Sequence, residues 1–423
     1  MKRILVVALT VFVLASSVFA AEVSELDPSI NTSLSALTDS SYPHSARSLG
    51  MGSAGVAVGG RSDSFYMNPA LLARRTLISL PYAQVSLYHP YDLLKKNEST
   101  GTSIVDDIMD AMNSGEMTDI AGPATGFLQT IKSGKGKLAE VEAGINLGGG
   151  GFALGLHVKD TIHTFGNGVG GLDANLFDEL NVNILAALGL RFDITPSISI
   201  DVGISSGVSV LGYSGLIGAQ SALDMMGGSE SGSMEDILAE VPLAFGWTVP
   251  LNVGLNVNLP LGFSVGAVGR NLLGSAVGYK MQVTNIDAVM SDAMGIVSNT
   301  FSEKADFTLK MDPSFDLGFG WKWENGFFSP TVALDFVDFI DFFSNEMNMR
   351  SFVEHLRIGA EFRLLSVLDV RAGINQGYWT LGAGIDLWAI KIDAAYYWQE
   401  FGETAGDYGL DAFTIRFNLG FDR

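Results

Sequence analysis

Apolar and polar residues alternate along most of the chain beyond residue 76. In the segment 411–421, positions 413, 415, 417, 419 and 421 are apolar, and Thr, Arg, Asn and Gly stand between them. Because successive side chains of a β-strand point to opposite faces, this pattern predicts a strand with one oily face and one polar face. A single strand of this kind fits a soluble sheet and a membrane barrel equally well.

The number of such segments separates these two fold classes. We predict fourteen strands, and an even number of antiparallel strands is typical of barrels in the bacterial outer membrane. They are expected near 77–88, 138–147, 151–164, 178–193, 197–213, 242–258, 261–284, 305–323, 327–337, 353–364, 367–375, 378–388, 390–399 and 411–421. Pro250 interrupts one of them, which indicates a bulge or a lateral opening of the wall.

The connections between the predicted strands mostly alternate between short and long. Outer-membrane barrels have short periplasmic turns and longer outer loops, whereas a soluble sandwich gives no reason for such alternation. Apolar residues at helical spacing predict short helices in the long loops, near 104–112, 233–241 and 286–297. The predicted fold is therefore an all-β, 14-stranded antiparallel transmembrane barrel over residues 77–423.

Composition supports a membrane barrel and excludes several other classes. The chain has 47% hydrophobic but only 17% charged residues, 50 glycines, and no apolar run of helical-span length after the first residues. Its net charge of −21 argues against nucleic-acid binding, which relies on Lys and Arg. It has no cysteine, which excludes disulfides and thiolate metal sites. We predict no metal site, no cofactor and no enzymatic activity.

The first twenty residues have the layout of a secretory signal peptide. Lys2 and Arg3 form a basic start, an apolar run follows, and Val18-Phe19-Ala20 offers a cleavage site. We therefore expect export, with residues 1–20 removed and the mature protein in the outer membrane.

A glycine-dense segment precedes the first predicted strand. Gly50, Gly52 and Gly55 match the GxGxxG pattern of dinucleotide-binding loops, but no strand precedes them and no helix follows. The alternative is a compact plug, because glycine lets a backbone coil tightly and approach a neighbouring wall closely. Residue 68 precedes a proline and is therefore biased towards an extended or turn conformation. We predict that residues 21–76 form a plug inside the barrel.

The stretch ARSLGMGSAGVAVGGRSDSFYMNPALLA resembles the N-terminal hatch of FadL-like outer-membrane transport proteins. The shared pattern is a glycine-rich run, an acidic residue, an aromatic residue and then Asn-Pro-Ala. The resemblance implies a monomeric barrel in outer-membrane lipid that passively takes up hydrophobic molecules such as long-chain fatty acids. It implies plug and ligand-pocket roles for Gly50, Gly52, Gly55, Asp63, Phe65, Tyr66, Asn68, Pro69 and Ala70.

Three functional questions stay open at this point. A fatty-acid carboxylate would need a cation, for which Arg191, Arg357 and Arg371 are candidates, although lumen acids such as Asp369 and Asp393 offer structural pairing instead. A non-transport barrel that scaffolds or accepts exported proteins is the alternative function. A lipase is a further alternative, with a histidine of the predicted strand 151–164 as base.

Overall fold

In the computed structural model of the chain, fourteen antiparallel strands close into a barrel, as the alternation predicts. The structure describes residues 44–59, 63–74, 76–96, 101–114, 134–166, 174–214, 217–218, 242–274, 276–278, 280–283, 308–310, 313–323, 327–344, 347–402 and 405–422. The predicted signal peptide, the first part of the predicted plug and the predicted loop helices near 233–241 and 286–297 lie outside these residues. Among the described helices, none is long and apolar enough to cross a membrane.

The strands follow the chain order around the barrel. The first seven are β1 (Leu77–Tyr88), β2 (Gly134–Gly149), β3 (Phe152–Gly166), β4 (Ala174–Thr195), β5 (Ile198–Ser214), β6 (Pro242–Thr248 and Leu251–Asn258) and β7 (Phe263–Arg270, then Ala276–Gly278 and Lys280–Val283). The next seven are β8 (Thr308–Lys310 and Ser314–Lys322), β9 (Phe328–Phe336), β10 (Leu356–Leu364), β11 (Leu368–Asn375), β12 (Tyr378–Leu387), β13 (Ile390–Glu400) and β14 (Gly409–Asp422). β1 pairs with β14 from Leu77↔Asp422 to Tyr88↔Ala412, which closes the barrel.

The two faces of the wall are chemically opposite. On β14, Thr414 and Arg416 are buried inside, whereas Phe417 is exposed on the outer face. On β4, Asn183 is buried inside, and the adjacent Ile184 is 57% exposed. An apolar exterior with a polar interior is the reverse of a soluble sheet protein and suits a barrel in lipid.

Within the described residues, the short helices lie outside the wall strands, and a single 3₁₀ turn at Pro260–Gly262 connects β6 to β7. They are α1 (Ala46–Gly50), α2 (Ser64–Met67), α3 (Pro90–Leu94), α4 (Ile104–Ser114), α5 (Phe339–Ser344) and α6 (Met349–His355), with a 3₁₀ helix at Pro69–Arg74. α4 confirms the helical spacing near 104–112. α6 corrects the predicted strand 353–364, whose first residues belong to this helix, because Asn348 caps it by accepting from the amide of Ser351.

The predicted continuous strands 242–258 and 261–284 are both interrupted. The lower part of β6 pairs with β7 from Val253↔Gly269 to Asn258↔Ser264, and the upper part pairs at Pro242–Phe245 with Lys280–Val283. Between these ladders Val249 and Pro250 interrupt β6, while Asn271 and Gly274 turn β7 aside with positive φ. The Pro250 prediction of a wall irregularity is confirmed, and the exposed side chains beside it are Trp247, Val249 and Leu273.

Candidate functional site

The glycine-dense N-terminal segment lies inside the barrel. We call residues 44–59 and 63–74 the plug. α1 begins after Ser45, whose side chain accepts from the Ser48 amide. The whole helix is buried, and it packs on β12 and β13. This part of the plug therefore occupies the lumen beside β12 and β13.

Arg47 anchors the first part of the plug through charge. Its Nε and Nη2 donate to the two carboxylate oxygens of Glu361 on β10, at 2.8 and 2.9 Å. Nη1 donates to the carbonyl of Gly59 within the plug at 2.7 Å. Glu361 also accepts from Arg371 Nε at 2.6 Å, and Arg371 in turn donates to Asp369 and Asp393. A bidentate pair inside a fully bonded network fixes the position of α1 against the wall.

The first two glycines of the GxGxxG match, Gly50 and Gly52, approach the wall closely. A Cβ on Gly50 would lie 2.9 Å from Gly382 Cα, and one on Gly52, whose φ is +63°, would lie 2.5 Å from the carbonyl oxygen of Ile358. The amide of Gly52 donates to Thr380 Oγ1 at 3.0 Å. Gly50 and Gly52 thus serve packing, since no larger residue fits between α1 and the wall.

The turn at Gly55 points two amides at one wall carboxylate. Gly55 N and Val56 N donate to Asp335 Oδ2 on β9 at 2.6 and 2.9 Å. Successive amides that converge on one oxygen form the kind of backbone nest that binds anions. In this protein the nest holds a carboxylate of the wall.

The aromatic residues of the plug lie on the β2–β4 side. Phe65 and Tyr66 are buried with their ring centroids 4.1 Å apart. The Tyr66 hydroxyl donates to Asn146 Oδ1 on β2 at 3.0 Å. Burial raises the pKa of the Tyr66 phenol well above its usual value, so this hydroxyl stays a donor. Asp63 is buried directly before α2.

Asn68, Pro69 and Ala70 close the plug against β4–β6. Asn68 Nδ2 donates to the carbonyls of Val56 at 2.9 Å and Leu255 at 3.2 Å, and its Oδ1 accepts from the Ala70 amide at 3.0 Å. On the wall, a Cβ added to Gly203 would lie 2.2 Å from the Ala70 amide nitrogen. The Asn-Pro-Ala sequence therefore links two parts of the plug to each other and to the wall.

Glycines line the wall at many of its contacts with the plug. An added Cβ would come within 3.0 Å of a plug atom at Gly155, Gly189, Gly203, Gly254, Gly266, Gly318, Gly320, Gly359 and Gly373. Arg270 on β7 adds polar contacts, because it donates to the carbonyls of Tyr66 and Met67 at 2.8 and 2.7 Å. Neither the wall glycines nor Glu361, Asp335 and Arg270 were expected as partners of the plug, since nothing in a single sequence links residues so far apart.

The three candidate arginines have different surroundings. Arg191 donates to both oxygens of Asp201 at 2.5 Å, and Arg371 lies in the network with Glu361. Arg357 donates to the main-chain carbonyls of Glu354 and Leu356, and its side chain lines a cavity. Structural pairing with lumen acids, the alternative raised from the sequence, therefore describes Arg191 and Arg371.

This cavity has a volume of about 340 Å³ and lies between the plug and the loop end of the wall. The plug contributes His44, Leu49, Ser53, Val56, Tyr66 and Met67 to its floor. Around it stand residues of β1, β2, β7–β11 and β13 and of α5 and α6. Most of the side chains that line it are polar or charged, which was not expected for a pocket that takes hydrophobic molecules.

An apolar patch lies beside this cavity at the loop end. Helices α5 and α6 expose Ile340 (43%), Phe343 (65%), Met349 (76%) and Phe352 (41%), and Met347 between them is also exposed. Phe336 and Phe342 pack with His355, which also lines the cavity, and Phe352 packs with both phenylalanines. We call Ile340, Phe343, Met347, Met349 and Phe352 the outer patch.

The histidines considered for a lipase have other partners. His157 Nδ1 lies 2.6 Å from the Tyr82 hydroxyl, and His163 Nε2 lies 2.7 Å from Glu179 Oε2. Both are buried on the inner face, as the alternation predicts. Among the described residues, no group of three or more His, Asp or Glu side chains is arranged to hold a metal ion.

Solved structures of other barrels are similar to this chain. The Ralstonia pickettii toluene transporter TbuX is 13% identical, with 90% of this chain and 99% of that chain covered and a TM-score of 0.43. The CymD monoaromatic hydrocarbon channel is 12% identical over 88% of this chain and 96% of that chain, with a TM-score of 0.42. A Pseudomonas aeruginosa FadL homologue is 12% identical, with 96% of this chain and 99% of that chain covered and a TM-score of 0.40. No protein-family model and no curated protein sequence matches the chain.

Proposed function

We propose that this protein is an outer-membrane channel for passive uptake of small hydrophobic or amphipathic molecules, with residues 77–423 as the membrane barrel. The observation that carries the proposal is the combination of a plugged, polar lumen with a cavity above the plug and an apolar patch at its rim. A general diffusion pore would need an open aqueous lumen, whereas a plug with a cavity suits a channel that binds its substrate.

The outer patch supplies the first step of the proposed route. Exposed apolar surface of this kind is a common mark of interaction with lipids or apolar ligands. Methionine suits such a surface because its flexible side chain adapts to varied apolar shapes. A ligand captured here lies next to Asp341 and His355, which line the cavity.

The interrupted wall between β6 and β7 supplies a candidate exit. Arg270, which ends the lower part of β7, lines the cavity and contacts the plug. Beyond it the regular ladder gives way to single hydrogen bonds from Asn271 and Leu272 to β6. Trp247 and Leu273 are exposed beside this irregular part of the wall. A molecule that leaves here would pass from the cavity into the lipid without displacing the plug.

Long-chain fatty acids are one proposed substrate class, from the resemblance of the plug. Their hydrocarbon tails would gain about 0.8 kcal/mol per methylene buried. Of the three arginines considered for the carboxylate, Arg357 is the one with access to the cavity.

Uptake by cells tests the function. Cells whose own hydrophobic-compound channels are deleted would express the protein and receive radiolabelled oleate or toluene. We expect uptake above that of cells with an empty vector. Val337→Trp, which narrows the cavity, should reduce it, whereas Val332→Trp on the exposed outer face of β9 should not.

Three results would count against this function. Uptake equal to the empty vector would contradict it, as would equal uptake by the two tryptophan variants. Co-purification of a stoichiometric exported protein, without uptake, would favour the scaffold alternative.

A further inference from the structure

The cavity above the plug has an excess of negative charge. Among the residues that the structure describes, six carboxylates line it, from Glu140, Asp316, Asp335, Asp338, Asp341 and Glu354, against three cations, from Lys137, Arg270 and Arg357. Lys137 is already held by Glu140 at 2.9 Å and Arg270 by Asp316 at 3.0 Å. A carboxylate ligand placed here would meet more like charges than opposite ones.

Asp335 is the cavity acid with an unused oxygen. Its side chain is 0% exposed, and Oδ2 accepts the two plug amides of Gly55 and Val56. Oδ1 is buried and has no hydrogen-bond partner within the described part of the chain. An acceptor left in this state is costly, and a ligand that donates to it would remove the cost.

Tyrosine rings near the carboxylates also suit a cation. Tyr66, Tyr88 and Tyr397 line the cavity. The ammonium of Lys137 lies 5.7 Å from the centroid of the Tyr88 ring, within the range of a cation–π contact. The aromatic lining is thus already in contact with one ammonium group.

The outer patch lies at the end of the same strand as Asp335. β9 ends at Phe336. The next two residues, Val337 and Asp338, line the cavity, and α5 follows with its exposed Ile340 and Phe343. A carboxylate in the cavity and an apolar surface at the rim are therefore separated by a few residues. This arrangement matches a molecule with a charged head and an apolar tail.

We infer that the cavity binds amphipathic molecules with a protonated amine, whose ammonium donates to Asp335 while the apolar part extends towards the outer patch. This inference rests on the proposed uptake function and specifies its substrate class. It favours aliphatic or aromatic amines over fatty acids of the same size.

Calorimetric titration of the purified full-length protein in non-ionic detergent tests the inference. The probes are hexylamine, hexanol and hexanoate, which share one apolar chain and differ in the head group. We expect hexylamine to bind about tenfold or more tightly than hexanoate, with hexanol between them, as for the gain of a charge-assisted hydrogen bond.

Asp335→Asn is the central variant. Its amide oxygen still accepts from the Gly55 and Val56 amides, but the other atom becomes a donor. We expect hexylamine affinity to fall about tenfold, with hexanol binding unchanged. Asp386→Asn is the matched control, since it changes net charge equally and its carboxylate lies 3.7 Å from Lys391, away from the residues of the cavity.

Glu354→Gln and Asp338→Asn keep the test independent of the plug. Both remove cavity charge without touching the nest at Gly55, so they report on the inference even if Asp335→Asn fails to fold. Each should weaken hexylamine binding several-fold by the loss of one nearby charge.

Hexanoate binding as tight as hexylamine would overturn the inference, as would an equal loss in Asp335→Asn and Asp386→Asn. Cellular uptake of toluene is a separate readout. If toluene enters the cells but the protein binds hexylamine no more tightly than hexanoate, the head-group assignment is wrong and the uptake function is still supported. If toluene does not enter the cells, the proposed uptake function itself is wrong.

Discussion

The plug meets the barrel wall in two chemically different ways. On the β10–β13 side, charge joins them, through Arg47, Glu361 and Arg371 in a buried network. On the β4–β6 side, Asn68, Pro69 and Ala70 lie against glycines, and the contacts are steric and hydrogen bonds to the main chain.

The difference indicates which contacts tolerate change. A steric fit against Gly203 and Gly254 has no alternative arrangement, because any side chain there occupies the space of the plug. A charged network can lose one member and keep its other ion pairs, since Arg371 still has Asp369 and Asp393 as partners when Glu361 is removed. We therefore expect the glycine side to be the less forgiving of the two.

Gly203→Leu should have the largest effect. The new side chain would overlap main-chain atoms of Pro69 and Ala70, so the cost should exceed the about 1–3 kcal/mol that is typical of overpacking. We expect the plug to be displaced, with a large rise of ion conductance in planar bilayers. Ala186→Leu, on the outer face of β4, is the control and should conduct like the wild type. Equal conductance of the two variants would show that the plug does not press on this wall.

Glu361→Ala should have the next largest effect. It leaves Arg47 buried without its carboxylate, and breaking a buried pair costs about 3–5 kcal/mol when nothing rebonds. Arg371 keeps its pairs with Asp369 and Asp393, which reduces the cost, so the loss in the free energy of unfolding should fall below that range. Urea unfolding of the single variants and of Arg47→Ala/Glu361→Ala measures the coupling energy. Strict additivity of the two single changes would contradict a direct pair.

Asn68→Ala should have a smaller effect confined to the plug. It removes the donors to Val56 and Leu255 and the acceptor for the Ala70 amide, at about 1–3 kcal/mol for the buried groups left unsatisfied. Hydrogen exchange of the Ala70 amide should become faster, while exchange in β12 stays slow. An unchanged rate at Ala70 would show that the side-chain amide does not hold this turn.

Arg350→Ala should have the smallest effect. The Arg350–Asp407 pair spans 3.5 Å between largely exposed side chains, and exposed pairs contribute about 0–1 kcal/mol. Its urea-unfolding midpoint should stay close to that of the wild type, in contrast to Glu361→Ala. A loss as large as that of Glu361→Ala would show that burial is not what gives the Arg47 pair its importance.

The strands were predictable because their signal is local. The period-two alternation predicted the bounds of β1, 77–88, and located all fourteen strands, since each residue's face is set by its neighbours in sequence. The same signal failed at the start of the predicted strand 353–364, where the end of α6 takes the first residues. It also failed at β6 and β7, which are both interrupted. In β6 and β7 the alternation of apolar and polar residues continues through positions that are not paired in the regular ladder.

The site was predictable only on the side of the plug. The glycines and the Asn-Pro-Ala turn are visible as a local motif, and the preference for lumen acids as partners of Arg371 is confirmed by Asp369 and Asp393. The wall glycines, Glu361 and the acidic cavity depend on contacts between distant parts of the chain. A single sequence contains no signal for such pairings.

A disulfide between plug and wall tests the central claim, that the N-terminal segment fills the lumen, most directly. The chain has no cysteine, and a Cβ placed on Gly320 of β8 lies 3.4 Å from Cβ of Ala57, which is close to disulfide geometry. The same Cβ would lie 2.3 Å from Val58 Cγ1, so both cysteine pairs are made in a Val58→Ala background that removes this overlap. We predict that Ala57→Cys/Gly320→Cys forms an intramolecular disulfide in cells, whereas Ala57→Cys/Gly384→Cys, with the second cysteine on β12, does not. Free thiols in the first pair, or equal cross-linking in both, would contradict the account.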